Sequence, residues 1–230
     1  NKKKFWKHLM EKELQKRILS SIILIPLTLF FIIKGSFLFT FFIITIFFVT
    51  SYEWFVMSKN KSYHFIGYFF LIFSFYTVYS IRHEFGDEGE SLVFFLFILL
   101  ICISTDIGGF IFGKIFKGPK LIKISPNKTY SGMLGGYLCS FMMIFLLFEY
   151  SELLFDTKTK WLPKVYLNII IISTVSQFGD IMISYFKRLS KIKDTGKIIP
   201  GHGGMLDRID GMIFAFPFTY ILYSLNILTT

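Results

Sequence analysis

Residues 91–113 read SLVFFLFILLICISTDIGGFIFG, and Asp106 is the one charged side chain in the run. A helix needs about 20 apolar residues to cross a hydrocarbon layer about 30 Å thick, so this stretch is long and dry enough to do so. Its apolar residues surround the helix instead of forming a stripe, which argues against a soluble amphipathic helix. Working outward, six further runs have the same character: Ile18–Ile33, Ser36–Met57, Tyr63–Ile81, Gly132–Phe148, Val165–Phe186 and Ile209–Leu228. The composition agrees, since 53% of the 230 residues are hydrophobic and 17% are charged, where soluble domains carry about 25% charge. The expected fold class is all-α: a polytopic integral membrane protein of about seven transmembrane helices, with motif loops on the cytoplasmic side.

A net charge of +10 raises the question of nucleic acid, but the charge is distributed as a membrane topology distributes it. If the N-terminus is cytoplasmic, every Lys and Arg falls on that side of the alternating loops except Lys34, Arg82, Lys158, Lys160 and Lys164. The opposite side holds the acidic residues Glu84, Asp87, Glu88, Glu90, Glu149, Glu152 and Asp156. Seven spans then place the C-terminus outside. No nucleic-acid partner is expected. The basic segment 1–17 is too polar for the apolar core of a signal peptide and reads as an interfacial helix attracted to anionic lipid. The chain begins at Asn1, which leaves room for upstream residues.

Residues 18–90 contain Glu53 as the only acid within their spans and read as a transmembrane scaffold. Residues 91–230 carry the glycines, prolines, acids and bases that crowd the cytoplasmic span ends, and read as the catalytic region. Cys102 and Cys139 lie in apolar runs without partners at ligand spacing, which points to packing. Pro26 and Pro217 lie inside runs and are expected to kink their helices without ending them.

Asp106 and Asp180 lie inside apolar runs, where a carboxylate is costly unless it faces a polar cavity, a cation or a base, or lies shallow enough to reach water. Gly109 and Gly113 have the spacing of a helix-packing motif. In the loop before Tyr130, Ser125, Pro126, Lys128 and Thr129 form a proline-fixed turn. Its hydroxyls and ammonium suit either a phosphate ligand or a helix cap. Asp207 and Asp210, three apart at a helix start, are expected to project from one face. With Asp180 they form an oxygen-rich set for a hard cation such as magnesium; alternatively, the first-turn acids complement the helix dipole. Gly201, Gly203 and Gly204 around His202 describe a tight turn that brings backbone close to a ligand or to another helix.

Ser184, Lys187, Arg188, Lys193, Asp194, Gly196, Pro200, His202, Gly203, Gly204, Asp207, Arg208 and Asp210 together resemble, at matching spacing, the signature of the phosphatidate cytidylyltransferases, or CDP-diacylglycerol synthases. The Asp106 stretch and the Ser125–Thr129 turn resemble further motifs of that family. Asn127 stands where the family usually has a second lysine, and Ser131 where it usually has glutamate. The resemblance implies attack by a phosphatidate phosphate oxygen on the α-phosphorus of CTP, giving CDP-diacylglycerol and pyrophosphate. It assigns Lys187, Arg188, Lys193, Asp194 and His202 to catalysis. Asp106, Ser125, Lys128, Thr129, Gly203, Gly204 and Arg208 are assigned to substrate binding, and Asp180, Asp207 and Asp210 to Mg2+, with a second cation left open. The implied partners are CTP, phosphatidate and membrane lipid, with a homodimer left open. The implied location is a bacterial inner membrane, with the active site on the cytoplasmic side. A cation-coupled transporter would use the buried acids differently, and a CTP-dependent lipid kinase would transfer only phosphate. Crowding of the motifs on one face, without interrupted segments repeated in two halves, argues against the transporter.

Overall fold

The computed structural model describes residues 2–122, 125, 128–155, 163–199, 201 and 203–227, without the side chains of residues 2–14, 16–18, 154, 155 and 163. Regular structure among these residues is helical throughout: α1 (Lys2–Lys34), α2 (Ser36–Ser58), α3 (His64–His83), α4 (Glu88–Phe116), α5 (Tyr130–Phe155), α6 (Pro163–Leu189), α7 (Leu206–Ile209) and α8 (Met212–Ser224). Two isolated antiparallel bridges, Lys120 with Thr129 and Ile199 with Gly203, pin the loops. Five helices, α2 to α6, are long and apolar enough to cross a bilayer. They carry large apolar side chains on their outer surfaces, including Phe37, Phe69, Phe110, Met142 and Leu153. Such a surface is at home in lipid, and the chain is an all-α polytopic membrane protein.

The expected number of seven spans is not established by the structure. The run Ile209–Leu228 is interrupted at Asp210 and Gly211, and the 13-residue α8 that follows is about 20 Å long at 1.5 Å per residue, short of a hydrocarbon core. The apolar part of α1, Leu19–Lys34, is also short. It continues without a break from the basic segment, so α1 is a single helix from Lys2. Pro26 and Pro217 both sit inside continuing helices, as expected.

The α4 helix is the axis of the bundle: 67% of its apolar window is buried, against 22% for α2. Glycines let α5 lie directly on it. A side chain at Gly108 would come within 2.3 Å of the Gly135 carbonyl oxygen, and one at Gly132 within 2.7 Å of the Gly109 carbonyl oxygen. The close approach predicted from Gly109 and Gly113 therefore exists, built mainly on Gly108 and Gly109 against Gly132 and Gly135. Buried hydroxyls fasten α6 to the same pair of helices, because Thr105 Oγ1 lies 2.8 Å from both Ser140 Oγ and Ser173 Oγ. At the end where α1 meets α2, the buried Arg82 donates from Nε to the Ile32 carbonyl at 3.0 Å and from Nη2 to that of Ile33 at 3.4 Å. It thereby satisfies carbonyls that the end of α1 leaves open.

Trp54, Met57, Leu71, Phe75, Ile183, Leu206 and Ile213 form a second core joining α2, α3, α6, α7 and α8. Above it, Ser190 donates to the Met57 carbonyl at 2.7 Å and its hydroxyl lies 3.0 Å from that of Tyr63. The short turn after α2 and the long loop after α6 are thus tied together at one end of the bundle.

Candidate active site

Asp106 on α4 and Asp180 on α6 lie about three turns inside that end of their helices, and the charges of both act on Asp210 in the break before α8. Glycine makes the approach of the break to α6 possible. A Cβ at Gly179 would lie 2.7 Å from the Asp210 carbonyl oxygen, and one at Gly211 would lie 2.4 Å from Ser176 Oγ. Asp210 is only 6% exposed, and its Oδ1 accepts the Gly211 N–H at 2.9 Å. Burial, and then the negative charges of Asp180 and Asp106, push its carboxyl well above the usual range, against the opposing pull of Lys187 and Lys128. Lys128, from the loop before α5, forms an ion pair with Asp180 Oδ2 at 2.5 Å and donates to the Gln177 carbonyl at 3.2 Å. Ser184 donates to Asp180 Oδ1 at 3.4 Å. Arg208 is exposed, within electrostatic reach of Asp106.

Asp207 belongs to a neighbouring cluster. Its Oδ1 accepts from Lys187 Nζ at 2.7 Å, and its Oδ2 accepts from the backbone N–H groups of Thr195 at 2.8 Å and Gly204 at 3.1 Å. Burial works to raise its pKa, but the Lys187 bond and charge and the two N–H donors outweigh it and hold the carboxyl below the usual range. Asp207 and Asp210, expected on one face, have separate partners: Lys187 and two loop N–H groups take Asp207, while Asp210 accepts the Gly211 N–H. Lys187 links the two clusters: it bonds Asp207, and its charge acts on Asp210.

The remaining predicted residues divide by location. Arg188 donates to the Ile192 carbonyl at 3.2 Å, closing the turn after α6. Lys193 and Asp194 are exposed on the loop. Thr129 takes the capping role, its Oγ1 accepting the Gly132 N–H at 3.1 Å. Ser131, at the position expected for glutamate, lies 3.0 Å from Thr129 Oγ1 and donates to the Lys117 carbonyl. Ser125 opens the turn in which its carbonyl accepts the Lys128 N–H at 3.0 Å. Gly203 has φ of 88° and Gly201 φ of 77°, left-handed values suited to glycine. The Ile199 N–H to Gly203 carbonyl bond, at 3.1 Å, closes the small turn they form. His202, Pro200, Pro126 and Asn127 lie outside the described residues.

Glu53 lies in the expected scaffold, yet its buried carboxylate accepts from the N–H groups of Met205 at 2.9 Å and Leu206 at 2.8 Å, and from Thr195 Oγ1 at 3.0 Å. The available signal was a lone acid in an apolar run. Among the described residues, no three His, Cys, Asp or Glu side chains are arranged to hold a metal ion by themselves.

A cytidylyltransferase family model matches residues 58–226. Phosphatidate cytidylyltransferases of Staphylococcus epidermidis and Staphylococcus aureus are 38% and 37% identical to the chain over 177 residues, covering 76% of the chain and 65% of each relative. That of Staphylococcus saprophyticus is 38% identical over 173 residues, covering 73% of the chain and 63% of the relative. The chain thus spans somewhat less than two thirds of the length of these relatives. The matched segment includes Asp106, Lys128, Asp180, Lys187, Asp207 and Asp210, the charged groups gathered at the bundle end, and by this match the chain belongs to the cytidylyltransferase family.

Proposed function

We propose that the chain transfers CMP from CTP to phosphatidate, yielding CDP-diacylglycerol and pyrophosphate, in a bacterial plasma membrane with its active site facing the cytoplasm. The observation that carries this reading is the pairing of Lys128 with Asp180 and of Lys187 with Asp207 beside the buried Asp210, within the proposed cytoplasmic third of a bundle of apolar helices. A lipid phosphate and a water-soluble nucleotide can both reach such a place. The sidedness follows from the positive-inside distribution of Lys and Arg.

In the transfer, a phosphate oxygen of phosphatidate bonds to the α-phosphorus of CTP as the bond from that phosphorus to the β-phosphate bridging oxygen breaks. The electron pair leaves with pyrophosphate. The protein contributes positioning and charge neutralisation, without a covalent intermediate. Lys128 and Lys187 are the buried or half-buried cations nearest the acids, and phosphate oxygens offer them alternative anionic partners. Arg208, exposed and within electrostatic reach of Asp106, adds positive charge beside the acids.

Magnesium fits the donor set. Asp210 is buried, and ammonium groups sit on Asp180 and Asp207, so positive charge is accommodated at those two carboxylates. Asp180 and Asp210, with Asp207 adjoining through Lys187, are the residues that would hold it. Magnesium commonly uses one or two carboxylates and completes its shell with substrate phosphates and water. When bound, it would supply charge stabilisation to the phosphates.

Membranes containing the protein, phosphatidate, magnesium and α-labelled CTP test the reading. Label is expected in CDP-diacylglycerol. Label entering lipid only from γ-labelled CTP would show phosphate transfer instead, and no label from either would refute nucleotide chemistry on phosphatidate.

A further inference from the structure

We infer that Glu53 is a positioning residue for the loop 194–206 and, through Asp207, for the Lys187 ammonium. The inference rests on the nucleotidyl-transfer reading for its kinetic consequence, but not for its structural one. Glu53 is 2% exposed and lies on α2, ahead of the segment matched by the family. Both of its oxygens accept: Oε1 from the Met205 N–H, and Oε2 from the Leu206 N–H and the Thr195 hydroxyl.

The loop is held from two sides at once. Thr195 gives its hydroxyl to Glu53 and its N–H to Asp207; Gly204 gives its N–H to Asp207, while the next two N–H groups go to Glu53. Two carboxylates therefore clamp the base of the turn that carries residues 199–203. Asp207 passes the alignment on, because the oxygen not used by the loop holds Lys187 at 2.7 Å. Two motif glycines are explained by the same clamp. A Cβ at Gly196 would lie 2.5 Å from Glu53 Oε1, and one at Gly204 would lie 2.7 Å from Oε2 and 2.1 Å from Thr195 Oγ1. These glycines admit Glu53 to the loop backbone; they are not merely turn formers.

A buried acid that only stabilised the fold would affect the amount of folded protein and leave each folded molecule competent. A positioning residue changes the folded molecule. The test uses the full chain, purified in detergent, as wild type, Glu53→Gln, Glu53→Asp and Thr195→Val. Gln keeps the shape but turns an NH2 group toward N–H or O–H donors, and Val removes only the hydroxyl bond. Hydrogen–deuterium exchange without substrate is expected to quicken over 194–206 in Glu53→Gln while α4 and α6 keep their protection. For folded Glu53→Gln, kcat should fall and KM for CTP should rise, together costing on the order of tenfold or more in kcat/KM for CTP. KM for phosphatidate should stay near wild type. Thr195→Val should show a smaller effect of the same kind, and Glu53→Asp should recover part of the loss. Should Glu53→Gln fail to fold, Thr195→Val and Glu53→Asp carry the comparison. Wild-type exchange in the loop, or unchanged CTP kinetics per folded molecule, overturns the inference. If wild type itself transfers no label, the transfer reading fails by that result, and loop exchange alone decides the role of Glu53.

Discussion

Replacing Lys187 by Met removes the ammonium while keeping most of the side-chain volume, and the structure sets the expected cost. The Lys187 and Asp207 side chains are 11% and 6% exposed and their charged atoms are 2.7 Å apart, so solvent screens the pair little. Removing one partner of a buried pair costs about 3–5 kcal/mol, because the other charge is left behind. Asp207 retains the Thr195 and Gly204 N–H bonds, which places the expected loss near the lower end, about 3 kcal/mol. Replacing Asp207 by Asn as well removes the stranded charge, so the double variant should recover a large part of the loss. The sign of the pH dependence follows from the same contacts. In wild type the Asp207 pKa is lowered. Its stabilisation is therefore present above the unfolded value of about 3.9 and is lost as pH falls through the lower folded value. In Lys187→Met, burial is less opposed and the folded pKa rises toward or past the unfolded value, so the loss of stability that Asp207 contributes on acidification should shrink or reverse. Unfolding of the purified protein in mixed detergent, followed across pH for both single variants and the double, measures these terms. A Lys187→Met protein within about 1 kcal/mol of wild type, or a double variant no better than the single, would refute the reasoning.

Asp210→Asn is expected to abolish label incorporation yet raise the thermal midpoint of the ligand-free protein at pH 8. The raised folded pKa of Asp210 means that folding opposes its ionisation, so its presence lowers stability as pH rises above the unfolded value; an unchanged or lower midpoint contradicts this. Arg188→Gln should weaken CTP binding less than Lys187→Gln, measured in detergent at fixed salt, because Arg188 is exposed and closes a turn while Lys187 faces the acids. Equal losses would place both groups on the nucleotide. Cysteine probes substituted at Lys120 and Glu88 should react from opposite sides of sealed vesicles, and reaction from the same side would overturn the proposed topology.

The helical class, the positions of the long apolar spans and the charge asymmetry were legible in the residues because hydropathy is local and additive along a helix. Five runs became full-length spans. The last did not, because Asp210 and Gly211 interrupt it where α6 offers a glycine for close packing. The residue types of the site were legible too: Lys128 pairs with Asp180 and Lys187 with Asp207, beside the buried Asp210. Their partnerships were not. Spacing put Asp207 beside Asp210, but two loop N–H groups and Lys187 took Asp207. A Ser–Pro turn suggested either cap or ligand for Thr129, and the fold supplies the Gly132 N–H that its hydroxyl caps. Glu53 looked like scaffold because its donors, Thr195, Met205 and Leu206, lie more than a hundred residues away in the chain. Burial of an acid in an apolar run can be read from sequence, since its cost is set by the surrounding solvent. The group that offsets that cost is set by which helices meet, and tertiary packing alone determined it.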